Sequence, residues 1–218
     1  MYNAFIIAAI LAAESGFIWH AARRGGPFGL RGFIVIQMIL IILFGSKLFL
    51  FFGYATNVTG AFYASALVAV ALVYQRGGLI EVRKILPMII YSMIVVYLLT
   101  WLLAIVRTTL PQNIGMAEAI SAVIRYQPPV IFASLIATIV AILALIKTID
   151  RYPALMGTAA AICVAQTIDS LLFYPLAFSD MPLKTITEIM LSGLAFKLVC
   201  SAALIPVYFL CRLQLKQD

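Results

Sequence analysis

Residues Ala159–Phe178 read AAAICVAQTIDSLLFYPLAF, twenty residues carrying a single charge. A helix of that length matches the roughly 30 Å hydrocarbon core of a bilayer, so the stretch reads as a membrane span. Its one carboxylate, Asp169, costs about 2.5–3.5 kcal/mol at such a depth, and acids placed there face a partner, a cavity or a ligand. Gln166 precedes it by three residues and Phe173 follows by four, so all three project from one helical face. An amide, an acid and an aromatic ring on one face resemble half of a polar-ligand site.

The rest of the chain is of the same kind. Of 218 residues, 65% are hydrophobic and 11% charged, against about a quarter charged in soluble domains, which makes this an integral membrane protein. Apolar runs long enough to span lie at about Phe5–His20, Phe33–Gly53, Val58–Tyr74, Ile85–Val106, Pro129–Ile146, Met156–Phe178 and Ile189–Leu210. The expected fold is therefore an all-α, polytopic transmembrane helix bundle of about seven spans, forming one membrane domain over residues 1–218. Between the fourth and fifth runs, Ile114, Ala117, Ile120 and Ile124 fall at near-helical spacing within Arg107–Pro128, predicting a short helix on the membrane surface.

Orientation follows from the basic residues. Arg23, Arg24, Arg31, Arg76, Arg83, Lys84, Lys147, Arg151, Arg212 and Lys216 fall in one set of connections; Arg107, Arg125 and Lys184 fall in the other. Ten against three places the N-terminus outside and the C-terminus in the cytoplasm of a multi-pass protein of the plasma (inner) membrane. The net charge of +7 thus sets topology and implies no nucleic-acid partner. No basic residue precedes the first apolar run, which argues against a cleaved signal.

Chemistry-bearing motifs are few. There is one histidine, His20, beside Trp19 at a boundary; HExxH, nucleophile-elbow and Walker A patterns are absent, so neither catalysis nor ATP hydrolysis is expected, and no cofactor or metal. Cys163, Cys200 and Cys211 match no metal spacing and read as packing residues. Asn57-Val58-Thr59 is a formal glycosylation sequon in a very short loop. Five polar residues inside the spans matter: Glu14, Lys47, Gln166, Asp169 and Lys197. Lys47 either neutralises Asp169 or meets a ligand. Glu14, with no counterpart in its span, reads as a packing or oligomer contact. Pro175 and Pro206 lie within the last two spans, where freed carbonyls suit either a binding cavity or bundle curvature.

The tail carries a family resemblance. Gln166-Thr167-Ile168-Asp169-Ser170-Leu171-Leu172-Phe173, followed by Ala177-Phe178, resembles the Q-x-x-D-[TS]-x-x-F…F signature of the queuosine precursor transporter (VUT) family. Phe196-Lys197 with Pro206 and Tyr208 resembles its final helix, and Ala133-Ser134-Leu135-Ile136-Ala137 resembles the start of the long helix before. Ser46-Lys47 is similar to its SN-x-x-x-K region, and Gly78…Arg83-Lys84-Ile85 to its basic turn. The resemblance covers about residues 33–216 and implies a six-helix core with residues 1–24 as an additional N-terminal helix. It implies import of a small polar, nucleobase-like molecule of the 7-deazaguanine class.

The chain departs from the family pattern at Ala71 and Gln75, where the family has acids, and near Ile142 and Leu145, where it has polar residues. Asp169, Gln166, Phe173, Lys197 and Lys47 are the candidate substrate-binding residues: Asp169 accepts paired donors, Gln166 meets a second polar atom, Phe173 stacks, and the lysines hold the carboxylate or meet a carbonyl. Missing acids predict a preference for neutral over amine-bearing ligands. Two other readings stay open at this point. One is a substrate-capture subunit needing a separate energising ATPase, for which Ala8-x-x-x-Ala12 and Ala9-x-x-x-Ala13 would suit close docking. The other is a non-transporting membrane scaffold. A homo-oligomer is compatible with each.

Overall fold

The computed structural model describes residues 2–44, 48–51, 54–105, 114–153 and 155–215. Among these residues, five helices are long and apolar enough to cross a membrane: α1 (Tyr2–Phe44), α2 (Thr59–Ile105), α3 (Ile114–Arg151), α4 (Leu155–Ala177) and α5 (Leu183–Leu215). The chain is thus a multi-pass, all-α membrane protein apart from one short hairpin, β1 (Leu48–Phe51) and β2 (Tyr54–Asn57).

The two longest helices are not straight rods. The apolar part of α1 runs 42 residues, which unbroken would measure about 63 Å, twice a bilayer core. Gly26 interrupts it with φ 54° and ψ −141°, a conformation that glycine reaches without a Cβ clash. Pro27 follows at once, its ring suited to the first turn of the returning segment. The chain does return: a Cβ on Gly29 would sit 2.7 Å from the Ala21 carbonyl oxygen, although residues eight apart in an unbroken helix are separated by about 12 Å. Gly78 interrupts α2 in the same way, with φ 63° and ψ −158°. Each long helix therefore has two limbs that meet at a glycine.

The first limb of α2 is the centre of the bundle. Every residue from Ala61 to Val73 is buried, as expected of a helix apolar on all sides and packed on all sides. Ala71 lies in this core, and so do Ile142 and Leu145 of α3. Three of the four positions where the resemblance implies a polar residue are thus filled with packing residues.

The two helix breaks lie at one end of the bundle. Arg76 approaches Gly26 at 3.0 Å from where a Cβ would be, Arg31 reaches Glu81 at 3.7 Å, Lys84 pairs with the same carboxylate, and Arg212 donates to the Pro153 carbonyl at 3.4 Å. Tyr74 bonds Asp150 nearby.

Two sequence expectations change. The second span does not reach Gly53: α1 stops at Phe44, and Leu48–Asn57 pair as antiparallel strands with Leu48 opposite Asn57 and Phe51 opposite Tyr54. Short apolar runs do not distinguish helix from strand by period, and this one is rich in aromatics that favour strands. The helix expected before Pro128 exists from Ile114 but continues without a break into the following span as α3. Asn57 is buried, and its Oδ1 accepts the Thr59 N–H at 2.8 Å, so the sequon asparagine caps α2. Lys47 lies outside the described residues.

Candidate functional site

Asp169 sits about 21 Å along α4 from Leu155 and about 12 Å from Ala177, deep in the span. It is 5% exposed, as is Lys197 of α5. Lys197 Nζ lies 2.5 Å from Asp169 Oδ2 and 3.2 Å from Ser170 Oγ. Two charges that would each be costly alone cancel here. The partner left open in the sequence between two lysines is, among the described residues, Lys197.

Three aromatic rings close around the ammonium. Its Nζ is 5.1 Å from the centroid of Tyr63, 5.4 Å from Tyr174 and 5.9 Å from Phe173, all within cation–π range. Tyr63 comes from the central limb of α2, the other two from α4. Phe173 also meets Tyr174 edge-on at 5.2 Å, which fixes the ring's tilt. Lys197 therefore lies in a box with a carboxylate, a hydroxyl and three π faces.

One turn further along, Gln166 donates from Nε2 to Ser201 Oγ at 2.7 Å. Its Oε1 is buried and has no hydrogen-bond partner among the described residues. The Tyr63 hydroxyl lies beside Asp169 and Thr138, yet it makes no hydrogen bond of normal geometry to either. Two buried polar atoms next to the ion pair are thus unspent, and such atoms are uncommon in a finished core.

Glycines make the close packing possible. A Cβ at Gly193 would lie 1.9 Å from Tyr174 Oη, and one at Gly60 would lie 2.7 Å from Phe196 Cδ1 and 3.1 Å from Lys197 Cγ. The pairs Tyr174–Gly193, Ser170–Lys197 and Gln166–Ser201 advance by four residues on each helix. α4 and α5 are therefore antiparallel with one contact per helical turn. Two turns further, Tyr208 donates to Thr158 at 3.1 Å, and Gln75 bonds both, at 3.3 Å to Thr158. Gln75, where the family pattern has an acid, belongs to this second network and not to the Asp169 group.

Beside Phe173 is a cavity of about 20 Å³ lined by Ile41, Ile42, Thr59, Val130, Ile131 and Ser134. It has room for a water but not for a heterocycle. Ser134 belongs to the Ala133–Ala137 motif, and Thr138 follows it by one turn, so the structure brings that motif to the Gln166–Phe173 motif.

Of the five candidates, the structure joins Asp169, Lys197 and Phe173 directly and sets Gln166 one turn away. Sequence reasoning missed Tyr63, Tyr174, Ser170, Ser201, Gly60 and Gly193. The signal for several of them was present: Gly193, Lys197 and Ser201 repeat at intervals of four on α5, as Gln166, Ser170 and Tyr174 do on α4.

Neither a curated protein nor a solved structure matches the chain. A protein-family match does, over residues 57–211, more than two-thirds of the chain, under the description "Putative vitamin uptake transporter". The matched range begins later than the residue 33 suggested by the motifs, and it contains α2 to α5 up to Cys211, including every described residue around Lys197. By that match the chain belongs to this vitamin uptake transporter family.

Proposed function

We propose that the protein imports a small, polar, nucleobase-like molecule, with a queuosine precursor of the 7-deazaguanine class as the substrate, and that it transports without catalysing a reaction. One observation carries this reading: a buried Asp169–Lys197 pair ringed by Tyr63, Phe173 and Tyr174, with Gln166 Oε1 and Tyr63 Oη unspent beside it. A guanine-like edge carries adjacent ring N–H and amino donors next to a carbonyl. Asp169 would accept the donors, Lys197 would meet the carbonyl, and an aromatic face would stack on the ring. Gln166 Oε1 and Tyr63 Oη offer further polar contacts.

The ammonium of Lys197 already fills the cation position between carboxylate and rings. A ligand bearing its own cation would meet like charge there, so neutral bases are the expected substrates. The cavity by Phe173 would have to widen to admit a ring, so the conformation described is read as a closed one.

Topology is proposed on the same footing. With α1 and α2 each counted as two limbs, the chain has seven spans, the N-terminus outside and the C-terminus in the cytoplasm of the plasma (inner) membrane. Arg31, Arg76, Lys84 and Arg212 near the glycine breaks and Pro153 support the cytoplasmic assignment of that end.

The test is salvage in a cell unable to synthesise queuosine, scored by tRNA modification. Expression of the wild-type chain should restore modification from an external 7-deazaguanine precursor, and Asp169→Asn should abolish it. In competition uptake, an aminomethyl form that outcompetes the neutral base would sink the charge argument.

A further inference from the structure

A second buried polar group lies apart from the Asp169–Lys197 pair. Glu14, on the first limb of α1, is 5% exposed. The polar side chains beside it are Gln37, on the second limb of α1, and Ser65, on the first limb of α2. All three are buried. Among the described residues no lysine, arginine or histidine pairs with Glu14, so what faces it from the packed segments is uncharged.

The hydrogen count of this cluster does not close. Glu14 Oε2 and Gln37 Oε1 are both buried acceptors without a partner. Ser65 already gives its hydroxyl hydrogen to the Phe62 carbonyl at 2.8 Å, which leaves its oxygen able only to accept. The donors that remain are the two N–H groups of Gln37 Nε2, which cannot serve the amide's own Oε1, and among the described residues no donor reaches Glu14 Oε2. An ionised Glu14 would add an uncompensated charge to that shortage, inside a span. A single proton on Oε2 removes the charge, turns one orphan acceptor into a donor and supplies the hydrogen that Gln37 or Ser65 can accept.

From this shortage we propose that Glu14 is a proton-binding site, loaded in the closed conformation, whose proton is released when the limbs of α1 and α2 part. The proton is taken from water to form the Oε2–H bond and is returned to water when the cluster hydrates. Coupling of that proton to uptake rests on the transport reading above; the site itself does not. Glu14 and Gln37 precede the family-matched residues 57–211 and Ser65 lies within them, so the acid itself belongs to the part of the chain outside that match.

Infrared spectroscopy of the full chain in lipid at neutral pH tests the site. A C=O band of a protonated carboxylic acid, sensitive to deuterium exchange, is expected in the wild type and in Asp169→Asn and lost in Glu14→Gln. No such band, or a band that survives Glu14→Gln, overturns the site. If Glu14→Gln fails to fold, Gln37→Leu takes its place: the band should shift as the acid loses its acceptor, and an unshifted band overturns the proposal. Coupling is read in proteoliposomes with radiolabelled 7-deazaguanine. An inward proton gradient should stimulate wild-type uptake, and the stimulation should be lost in Glu14→Gln while base binding persists. Uptake indifferent to the gradient overturns coupling. Uptake that is unaffected by Asp169→Asn counts instead against the proposed function.

Discussion

Lys197 answers to two demands, holding α4 to α5 and presenting a donor in a deep site, and substitutions separate them. Lys197→Met alone leaves Asp169 buried and unpaired, and should cost about 3–5 kcal/mol. Thermal unfolding in detergent measures the loss. Adding Asp169→Asn removes the orphan charge, so the double variant should recover most of the stability. If the pair also binds ligand, uptake stays absent in the stable double variant. Recovery of both stability and uptake would leave the pair a purely structural clasp. Gly193→Ala probes the wall of the same box. Its new methyl would meet both the Tyr174 hydroxyl and the ring carbon Cζ, at 1.9 and 2.6 Å, an overpacking effect of about 1–3 kcal/mol, and Tyr174→Phe should relieve only the hydroxyl's part of it. At this scale the sequence was half readable. Local spacing put Gln166, Asp169 and Phe173 on one face, because periodicity is a property of a single helix. It could not say that Tyr63 arrives from another helix or that Gly60 makes room for Lys197, because those are contacts between helices.

Helices and strands were legible where apolar length decides and illegible where backbone chemistry does. α4 lies within one residue of its expected limits at each end, whereas α5 overruns the expected Ile189–Leu210 at both ends. The Leu48–Asn57 hairpin was missed because a run of Leu, Phe and Tyr satisfies a membrane-length criterion as well as a strand. The glycine breaks were partly visible: Gly25-Gly26-Pro27 and Gly77-Gly78 both separate apolar runs. Only the structure shows which glycine of each pair takes positive φ. Gly26→Ala should therefore cost about 1–2 kcal/mol from the left-handed backbone alone, with Arg76 crowded as well. Gly25→Ala should be nearly silent, since nothing lies within 4 Å of a Cβ there. Comparing the two unfolding midpoints checks the assignment, and equal losses would contradict it.

For the molecule as a whole, composition settled the solvent and basic residues gave the orientation to be tested. With native cysteines replaced, a cysteine at Asp180 should react with an impermeant maleimide in intact cells. One at Arg151 should react only after the membrane is opened. The reverse pattern would invert the topology. Function was less legible than fold, because a buried acid announces a partner without saying whether that partner is a lysine or a substrate.

The antiparallel seam between α4 and α5 has a further consequence. Its contacts recur every four residues, so a slide of one turn, about 5.4 Å, would set Ser170 against Ser201 but carry Tyr174 off Gly193, which makes room for its ring. A seam with so regular a period is a vernier, and it needs an index mark. The opposite charges that meet on it among the described residues, Asp169 and Lys197, supply that mark, much as a lone polar residue sets register in a coiled coil. A ligand that separates them would do more than occupy a site: it would unlatch the scale along which the two helices are free to slip.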